Sequence, residues 1–324
     1  MTEGEAMTAG EAVTAGEAMT AGEAVTARVM PPRGSVWRRA WRSLWRAKWP
    51  LLAASLLLVM ISVAIFGPFV APRDPERQDI IARLKQPMQM DRRKQHTYVL
   101  GTDGLGRDVL SRLLYGARIS LAVGVVAVVL GGALGTALGL LAGYFGGRFD
   151  DVIMALADIQ LAFPFILLAI MFLLVLGPGV LNLILALGVG QWVTYARIAR
   201  GQTIAQRDKE YVEAARALGQ GHLGILLQGI LPNIVSPLII VASFNIASVI
   251  LAEASLSFLG LGVPPTVPSW GGMLAESREQ LLAGRWWLAF FPGTAIMLTV
   301  LSFNVLGDWL RDFLDPRLTA EGSY

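Results

Sequence analysis

EAARALGQGHLGILLQGILP, residues 213–232, carries charge, histidine and repeated glycine in a part of the chain that is otherwise strongly apolar. It lies between two long hydrophobic segments, at about 180–204 and 233–257. A polar connection between two such segments is typical of a loop that leaves the membrane between two transmembrane helices. The sequence therefore predicts an integral membrane protein with an ordered loop over residues 205–232.

The composition of the whole chain agrees with this prediction. Hydrophobic residues make up 54% of the 324 residues, charged residues only 16%, and the mean hydropathy is +0.56. A soluble domain of this length carries more charge. The net charge of +3 is too small and too widely spread to predict a nucleic-acid partner. The absence of cysteine excludes disulfides, thiolate metal sites and cysteine nucleophiles.

Six apolar segments are long enough to be predicted as transmembrane helices. The first, Leu51–Val70, is an uncharged run of 20 residues, which rises about 30 Å as a helix and so matches the hydrocarbon core. The other five are at about 119–145, 152–176, 180–204, 233–257 and 287–310. We therefore expect an all-α membrane domain of six helices within residues 51–317, followed by a short tail, residues 318–324.

The residues before the first span divide into two parts. Residues 1–35 contain four hexapeptides of the form GEAMTA or GEAVTA, which present no continuous apolar stripe and predict a disordered low-complexity tail. Within residues 36–50, tryptophan recurs every fourth residue beside arginines. This spacing predicts an amphipathic helix that lies in the membrane interface.

Charge distribution predicts the orientation in the membrane. Residues 28–50 contain seven Lys/Arg and no acidic residue, which favours a cytoplasmic N-terminus by the positive-inside rule. Six spans then place the C-terminus and the 205–232 loop in the cytoplasm and residues 71–118 outside. The outer segment carries ten Lys/Arg against six Asp/Glu, a mixture that weakens the charge argument without reversing it.

Four glycines recur at every fourth position of the second predicted span: Gly131, Gly135, Gly139 and Gly143. They form one helix face almost without side chains, which lets another backbone approach closely. Close helix packing is the favoured interpretation, and a sliding or pore-lining surface is the alternative.

Two carboxylates, Asp158 and Glu253, fall inside predicted spans. An ionisable group is costly in hydrocarbon, so each must face protein or water. An interhelical hydrogen bond or a place in the wall of a translocation path is the favoured role. A proton relay is the alternative.

The polar loop has a local structure that its residues predict directly. Tyr211–Leu218 favours a short helix, with Glu210 and Glu213 near its positive N-terminal end. Gly219 is a natural C-terminal stop. A stiff element of this kind, between two spans, can transmit the motion of a partner to the membrane helices.

Several chemistries are excluded by what the sequence lacks. A phosphate-binding P-loop requires GxxxxGK[ST], and none of the four lysines follows a glycine. There is no HExxH, and His96 and His222 are expected on opposite sides of the membrane. We therefore expect no catalytic residues, no metal site and no bound cofactor in this chain.

Four motifs resemble a known family. Glu213-Ala214-Ala215, followed by Gly219 and then by Leu231-Pro232, resembles the EAA loop of permease subunits of binding-protein-dependent ABC importers. GTDGLGRD at 101–108, SFLGLG at 257–262 and LGDWLRDFLDPR at 306–317 resemble the dipeptide and oligopeptide permeases of that family. The loop departs from the general pattern at Gly229, where isoleucine is expected.

The resemblance implies an ABC type I importer permease fold and a prokaryotic cytoplasmic (inner) membrane location. It implies four kinds of partner besides the lipid bilayer: a homologous second permease, two ABC ATPase subunits that bind ATP and Mg²⁺, and an extracytoplasmic solute-binding protein. The ATPase contact would be formed by Glu213, Ala214, Ala215, Arg216, Leu218, Gly219, His222 and Leu223. The implied substrate is a short peptide, although relatives that carry nickel chelates, glutathione or antibiotic peptides share these motifs.

Two other classes of protein remain as alternatives. A secondary transporter driven by an ion gradient would use Asp158 or Glu253 as its coupling carboxylate and would need no ATPase. Broken helices near the bilayer midplane would favour it, and Pro164 is placed to break the third span. A membrane-embedded enzyme is the weaker alternative, because no set of catalytic residues can be named.

Overall fold

The computed structural model describes residues 43–45, 47–90 and 97–314. The chain divides into two compact units, Met1–Arg46 and Ala47–Tyr324, and of the first unit only residues 43–45 are described, as helix. The repeat tail at 1–35, the greater part of the interfacial helix predicted at 36–50 and the tail at 318–324 lie outside the described residues.

The second unit is built almost entirely from helices, as the sequence predicts. In chain order the elements are α1 (Lys48–Val70), a 3₁₀ turn (Ile80–Ala82), β1 (Gln89–Met90), β2 (Thr97–Tyr98), α2 (Val109–Phe145), α3 (Gly147–Leu161), α4 (Phe165–Leu176), α5 (Val180–Arg207), α6 (Glu210–Ala217), α7 (His222–Gly224), a π-helical turn (Ile225–Ile230), α8 (Leu231–Phe258), α9 (Trp270–Leu282) and α10 (Trp287–Leu314). The two strands pair antiparallel, with Gln89 opposite Tyr98.

The predicted count of six spans is not confirmed. By length and composition, four described helices could cross a membrane: α1, α2, the continuous run His222–Phe258, and α10. The pair α3 and α4 qualifies only when taken together, which makes five at most. The expected span at 180–204 forms a 28-residue helix, α5, but Asn182, Gln191 and Arg197 interrupt its apolar sequence.

The span predicted at 152–176 is not continuous. Helix α3 ends at Leu161, α4 begins at Phe165, and the two helices are bent by 89° at the break. Pro164 is the N-cap residue of α4, with φ −56° and ψ 131°. A proline has no backbone N–H to donate and disfavours helical geometry in the residue before it, which accounts for the break at this point.

Helix α2 is the longest element of the described chain and organises the rest. The Asp108 carboxylate caps its N-terminus by accepting from the Ser111 N–H at 2.8 Å. Its 37 residues rise about 55 Å, well beyond the roughly 30 Å of the hydrocarbon core. It therefore reaches from the GTDGLGRD loop at one end to the residues around His222 at the other.

The hydrophobic core lies on both sides of α2. One cluster of buried side chains joins α2 to α5 and α8 and includes Val123, Leu187 and Ile234. A second joins α2 to α1, α8, α9 and α10 and includes Leu121 and Trp270. Many apolar side chains of α1 are exposed, as expected for a helix that faces lipid.

Candidate functional site

The short helix α6 carries the EAA motif and rests on the bundle through one face. Val212 is completely buried, and Ala215 packs against the core around α2 and α8. Glu213, Ala214 and Arg216 are exposed. The helix therefore presents most of its EAA residues to the outside while its apolar face fixes it to the membrane helices.

Helix α6 ends at a glycine in the left-handed conformation. Gly219 has φ +78°, its N–H donates to the Arg216 carbonyl at 3.0 Å, and the Gln220 N–H donates to the Ala215 carbonyl at 3.0 Å. This pair of bonds is the Schellman motif, which favours glycine at the left-handed position. The sequence-based prediction of a helix that stops at Gly219 is confirmed. No atom lies within 4 Å of the position that a Cβ at Gly219 would take.

The start of the next helix is tied to the C-terminal end of α2. The Tyr144 hydroxyl and His222 Nδ1 share a hydrogen bond of 2.9 Å. The Arg216 guanidinium lies over the Tyr144 ring, 5.4 Å from its centroid, and the Phe145 ring is 5.8 Å from that of His222. These contacts fasten the segment on both sides of Gly219 to α2.

Two leucines project from this segment into open space. Leu218 is 88% exposed and Leu223 is 71% exposed. Glu213 and Arg216 stand on the same short segment. We name Glu213–Leu223 the coupling segment. Exposed apolar side chains beside charged ones are typical of a protein interaction surface.

The coupling segment continues into α8 through a π-helical turn. Ile225, Leu226 and Ile230 are buried in this turn, and the Leu231 N–H donates to the Leu226 carbonyl, five residues back. Gly229 stands where the resembled family has isoleucine. A Cβ at this position would lie 3.6 Å from the Tyr211 ring, which is an ordinary van der Waals contact. A displacement of the coupling segment would therefore reach α8 through a continuous helical path.

The four glycines of α2 pack against the backbone of α5. A Cβ at each would come within 3.0 Å of a carbonyl oxygen of α5, and the oxygens belong to Gly188, Trp192, Ala196 and Arg200 in turn. This is close backbone approach along about three turns of both helices. Helices α2 and α5 are thereby held as one unit.

Asp158 forms an ion pair at the surface of the bundle. Its carboxylate accepts from the Arg197 guanidinium, which joins α3 to α5. A second ion pair joins the same two helices, in which Asp150 of α3 accepts from Arg200 of α5 at 2.5 and 2.6 Å. The two pairs fasten α3 to α5. Asp150, Arg197 and Arg200 were not predicted from the sequence as site residues, because an ion pair between distant residues leaves no local pattern.

Glu253 is completely buried, and its carboxylate forms hydrogen bonds within α8 and to α2. It accepts from the Ser257 hydroxyl of α8 at 2.9 Å and from the Ser120 hydroxyl of α2 at 3.2 Å. Ser120 in turn accepts from the Trp270 N–H at the start of α9, at 3.2 Å. The carboxyl group accepts from α8 and α2 directly, and Ser120 extends the network to α9.

A cluster of four charges at the far end of α2, of which Glu276 is partly exposed and the other three are buried, was not predicted. Asp103 accepts from Arg107 and from Arg112, each at 2.6 Å. Glu276 of α9 accepts from Arg107 at 2.6 Å and also from Arg112. Asp103 and Arg107 belong to the GTDGLGRD motif, which was the available signal, whereas nothing in the sequence around Glu276 indicated its part.

Among residues 43–45, 47–90 and 97–314, no group of three or more His, Asp or Glu side chains could hold a metal ion. His222 is engaged with Tyr144. The segment Glu213–Leu223 is held against α2 by these contacts and exposes Leu218 and Leu223.

Comparison with known proteins agrees with this geometry. The family model for the inner membrane component of binding-protein-dependent transport systems matches residues 135–320. A second model, for the N-terminal transmembrane domain of oligopeptide transport permease C, matches residues 35–87. The chain belongs to the family of binding-protein-dependent transport permeases. Such ABC permease subunits are not themselves enzymes, and membership implies ATPase and binding-protein partners and a bacterial inner-membrane setting.

Two relatives cover most of this permease. A di/tripeptide transport system permease protein, DppC, of Pseudomonas aeruginosa is 42% identical over 262 residues, which cover 81% of this chain and 86% of that protein. A glutathione transport system permease protein, GsiD, of Escherichia coli is 44% identical over 291 residues, which cover 90% and 92%.

A solved structure supports the fold. The MetNI methionine ABC transporter, in inward-facing conformations, matches the permease with a TM-score of 0.51 and 19% identity, over 63% of this chain and 97% of that one. At this identity the likeness concerns the fold alone. The match supports an ABC importer permease fold, and the comparisons give no support to the ion-coupled alternative.

Proposed function

We propose that this chain is a permease subunit of an ATP-driven importer of short peptides. The names of its relatives support the substrate class, since one is a di/tripeptide permease and another a glutathione permease, and glutathione is itself a tripeptide derivative. In this proposal the chain forms half of the translocation pathway and a homologous second permease forms the other half. Two ABC ATPase subunits bind ATP and Mg²⁺, and an extracytoplasmic solute-binding protein delivers the peptide.

The observation that carries the proposal is that the coupling segment is exposed on one side and held by the bundle on the other. Its outer surface carries Leu218 and Leu223 with Glu213 and Arg216. All four side chains are exposed in the structure, so a partner subunit could contact them. It is held against the bundle by Val212, the buried residue directly before it, and by the hydrogen bond between Tyr144 and His222. A surface that is open on one side and rigidly held on the other is suited to receive a push.

The push would reach the membrane helices by two routes. One runs from His222 to the C-terminal end of α2, and the other runs through the π-helical turn into α8. Because the glycines of α2 lie against the backbone of α5, α2 would carry α5 with it. ATP-driven closure of the two ATPases would in this way move α2, α5 and α8 and change the side from which the pathway is open.

The orientation follows from the same proposal. The coupling segment would face the cytoplasm, where the ATPases are, and both termini would be cytoplasmic. The GTDGLGRD loop, at the opposite end of α2, would then face the binding protein. Proteolysis of sealed right-side-out vesicles tests this, since the coupling segment must be protected until the membrane is opened.

Reconstituted vesicles test the transport function. With the second permease, both ATPases, ATP inside and the loaded binding protein outside, we expect uptake of a labelled dipeptide. Uptake should stop when the ATPases are omitted and should persist when a proton ionophore removes the ion gradient. Uptake that survives without ATPases but is abolished by the ionophore would contradict the proposal and favour an ion-coupled carrier.

A further inference from the structure

An open apolar trough lies between the end of α8, helix α9 and the start of α10. It consists of three adjoining hollows of about 410, 430 and 410 Å³, and neighbouring hollows share wall residues such as Leu274, Leu281 and Gly293. Helix α8 follows the coupling segment and ends at Phe258, about 40 Å further on. The trough is therefore at the end of the bundle opposite to the coupling segment.

The length of the trough matches one leaflet of a bilayer. Its walls cover about two turns of α8, from Leu251 to Leu259, and of α10, from Ala289 to Met297, which is about 10–12 Å along each helix. The hydrocarbon of one leaflet is about 15 Å thick. Exposed aromatic side chains at the start of α10, among them Trp286, mark the headgroup level. The trough thus runs from the headgroup level into the leaflet.

The trough is bordered by apolar side chains. Two hydroxyls in its walls are already bonded to their own helices: Ser255 donates to the Leu251 carbonyl at 2.8 Å and Ser277 to the Leu274 carbonyl at 2.7 Å. The exposed side chains along its border are Leu251, Leu259, Leu282, Trp286, Phe290 and Met297. Such a border is suited to hydrocarbon and not to water.

Arg278 of α9 brings a positive charge to the headgroup end of the trough. Its side chain lines the trough beside Phe258, with the guanidinium 5.9 Å from the centroid of the ring. Among the residues that the structure describes, it takes part in no ion pair. Glu279, the next residue, does not line the trough. A guanidinium in this position can bind a phosphate group through two hydrogen bonds.

The structure assigns the trough to an anionic phospholipid, whose phosphate pairs with Arg278 and whose acyl chain lies between α8 and α10. A lipid with a net negative charge neutralises the arginine, whereas a zwitterionic lipid brings its own cation to the site. The ligand would come from the leaflet opposite to the coupling segment. This inference does not depend on which substrate the permease transports.

Other occupants fit the trough less well. An apolar helix of another subunit would fill the space but would leave Arg278 without an anion. A transported peptide has a carboxylate for Arg278, but it would also bring an ammonium group and main-chain polar groups into a trough whose two bonded hydroxyls offer them little. A phospholipid has one anionic end and an apolar chain of the right length.

Lipid binding to the assembled importer tests the inference. The complex is purified in a non-ionic detergent and depleted of lipid. Radiolabelled dioleoyl phosphatidylglycerol is then titrated, and the lipid bound per complex is measured. Dioleoyl phosphatidylcholine serves as the zwitterionic comparison. Glycerol 3-phosphate and the dipeptide Leu-Leu are added as soluble competitors.

Two variants change the two ends of the site. Arg278→Gln removes the positive charge, and Gly293→Leu fills the trough, since a Cβ at Gly293 has its nearest neighbour 3.9 Å away. The matched controls lie outside the trough. Arg77→Gln removes an exposed cation, and Gly201→Leu enlarges an exposed helical glycine with no atom within 4 Å of its Cβ position. Size-exclusion chromatography checks that each complex is assembled.

We expect Arg278→Gln to raise the Kd for phosphatidylglycerol about tenfold, the value of a hydrogen bond to a charged group, with little change for phosphatidylcholine. Gly293→Leu should raise the Kd for both lipids at least about tenfold, because each CH₂ group that loses its burial costs about fourfold. Both controls should bind as the native complex does, and neither soluble competitor should displace the lipid.

Three results would overturn the inference. Equal binding of phosphatidylglycerol to native and Arg278→Gln complexes would show that the arginine does not hold the phosphate. Equal binding to native and Gly293→Leu complexes would show that a partner subunit covers the trough. Displacement by glycerol 3-phosphate or by Leu-Leu would show a site for soluble anions or for substrate. Failure of peptide uptake would overturn the proposed function and leave these lipid measurements unaffected.

Discussion

The Tyr144 hydroxyl lies 2.9 Å from Nδ1 of His222, and this one hydrogen bond joins the last turn of α2 to the coupling segment. The two residues are 78 positions apart in the chain. Arg216 covers the tyrosine ring from the other side of Gly219. The exposed coupling segment is in this way attached to α2, the helix that carries the four packed glycines.

Tyr144→Phe isolates this hydrogen bond, since phenylalanine keeps the ring beneath Arg216. We expect the coupling segment to loosen by about 1 kcal/mol, the net value of a hydrogen bond. Amide hydrogen exchange of residues 213–224 should then be several times faster than in the native permease. Tyr115→Phe, at the opposite end of α2, is the control and should leave exchange in the segment unchanged. Equal protection in Tyr144→Phe and native protein would show that the bond does not hold the segment.

The glycine face of α2 predicts a sharp difference between neighbouring positions. Gly135→Ala places a Cβ closer than 3.0 Å to the Trp192 carbonyl oxygen, whereas a Cβ at Gly132 lies 3.4 Å from its nearest atom. Overpacking of this kind costs about 1–3 kcal/mol. Gly135→Ala should lower the thermal midpoint of the purified permease, and Gly132→Ala should leave it near the native value. Similar midpoints would mean that the helices can separate without cost.

Much of the fold is predictable because membrane helices carry strong local signals. The uncharged run before Val70 and the glycine repeat at 131–143 each lie in a helix of the structure. The count of six spans is not confirmed where the local signal is weak. The second half of helix α5 is polar, and it packs against α2 and α3. The bend between α3 and α4 depends on Pro164, and spacing alone does not tell whether a proline breaks a span.

In the candidate site, too, only the features that depend on neighbouring residues could be predicted from the sequence. The EAA helix and its stop at Gly219 follow from local residues, so their conformation was predictable. The bond between Tyr144 and His222 and the contacts of Glu276 join residues far apart in sequence. Such pairings depend on how helices pack, which no local pattern in one sequence reports.

The charge cluster at the far end of α2 predicts a strong effect of Glu276→Gln. The variant leaves Arg107 and Arg112, both buried, with one carboxylate instead of two. Loss of one partner of a buried ion pair costs a few kcal/mol. We expect a clear fall in the thermal midpoint and loosening of α9. Glu279→Gln changes an exposed carboxylate of the same helix and should have little effect; an equal effect of the two would refute the role of the cluster.

Glu253→Gln separates a structural carboxyl group from a proton carrier. Glutamine can still accept from Ser120 and Ser257, which bond to Glu253 in the structure, but it cannot exchange a proton. We expect ATP-dependent uptake to be retained, and likewise in Asp158→Asn, where the ion pair with Arg197 is at the surface. Abolished uptake in either variant, with the complex assembled, would favour an ion-coupled mechanism.

ATP-dependent uptake by importers that carry Gly219→Trp or Gly177→Trp is the measurement to make first. Both glycines have positive φ, +78° and +81°, and no atom lies within 4 Å of either Cβ position, so the backbone strain is matched. Only Gly219 lies in the coupling segment. If this segment receives the push of the ATPases, Gly219→Trp abolishes uptake in an assembled complex while Gly177→Trp retains it. Native uptake with Gly219→Trp, or equal loss in both variants, would contradict the coupling role of the segment.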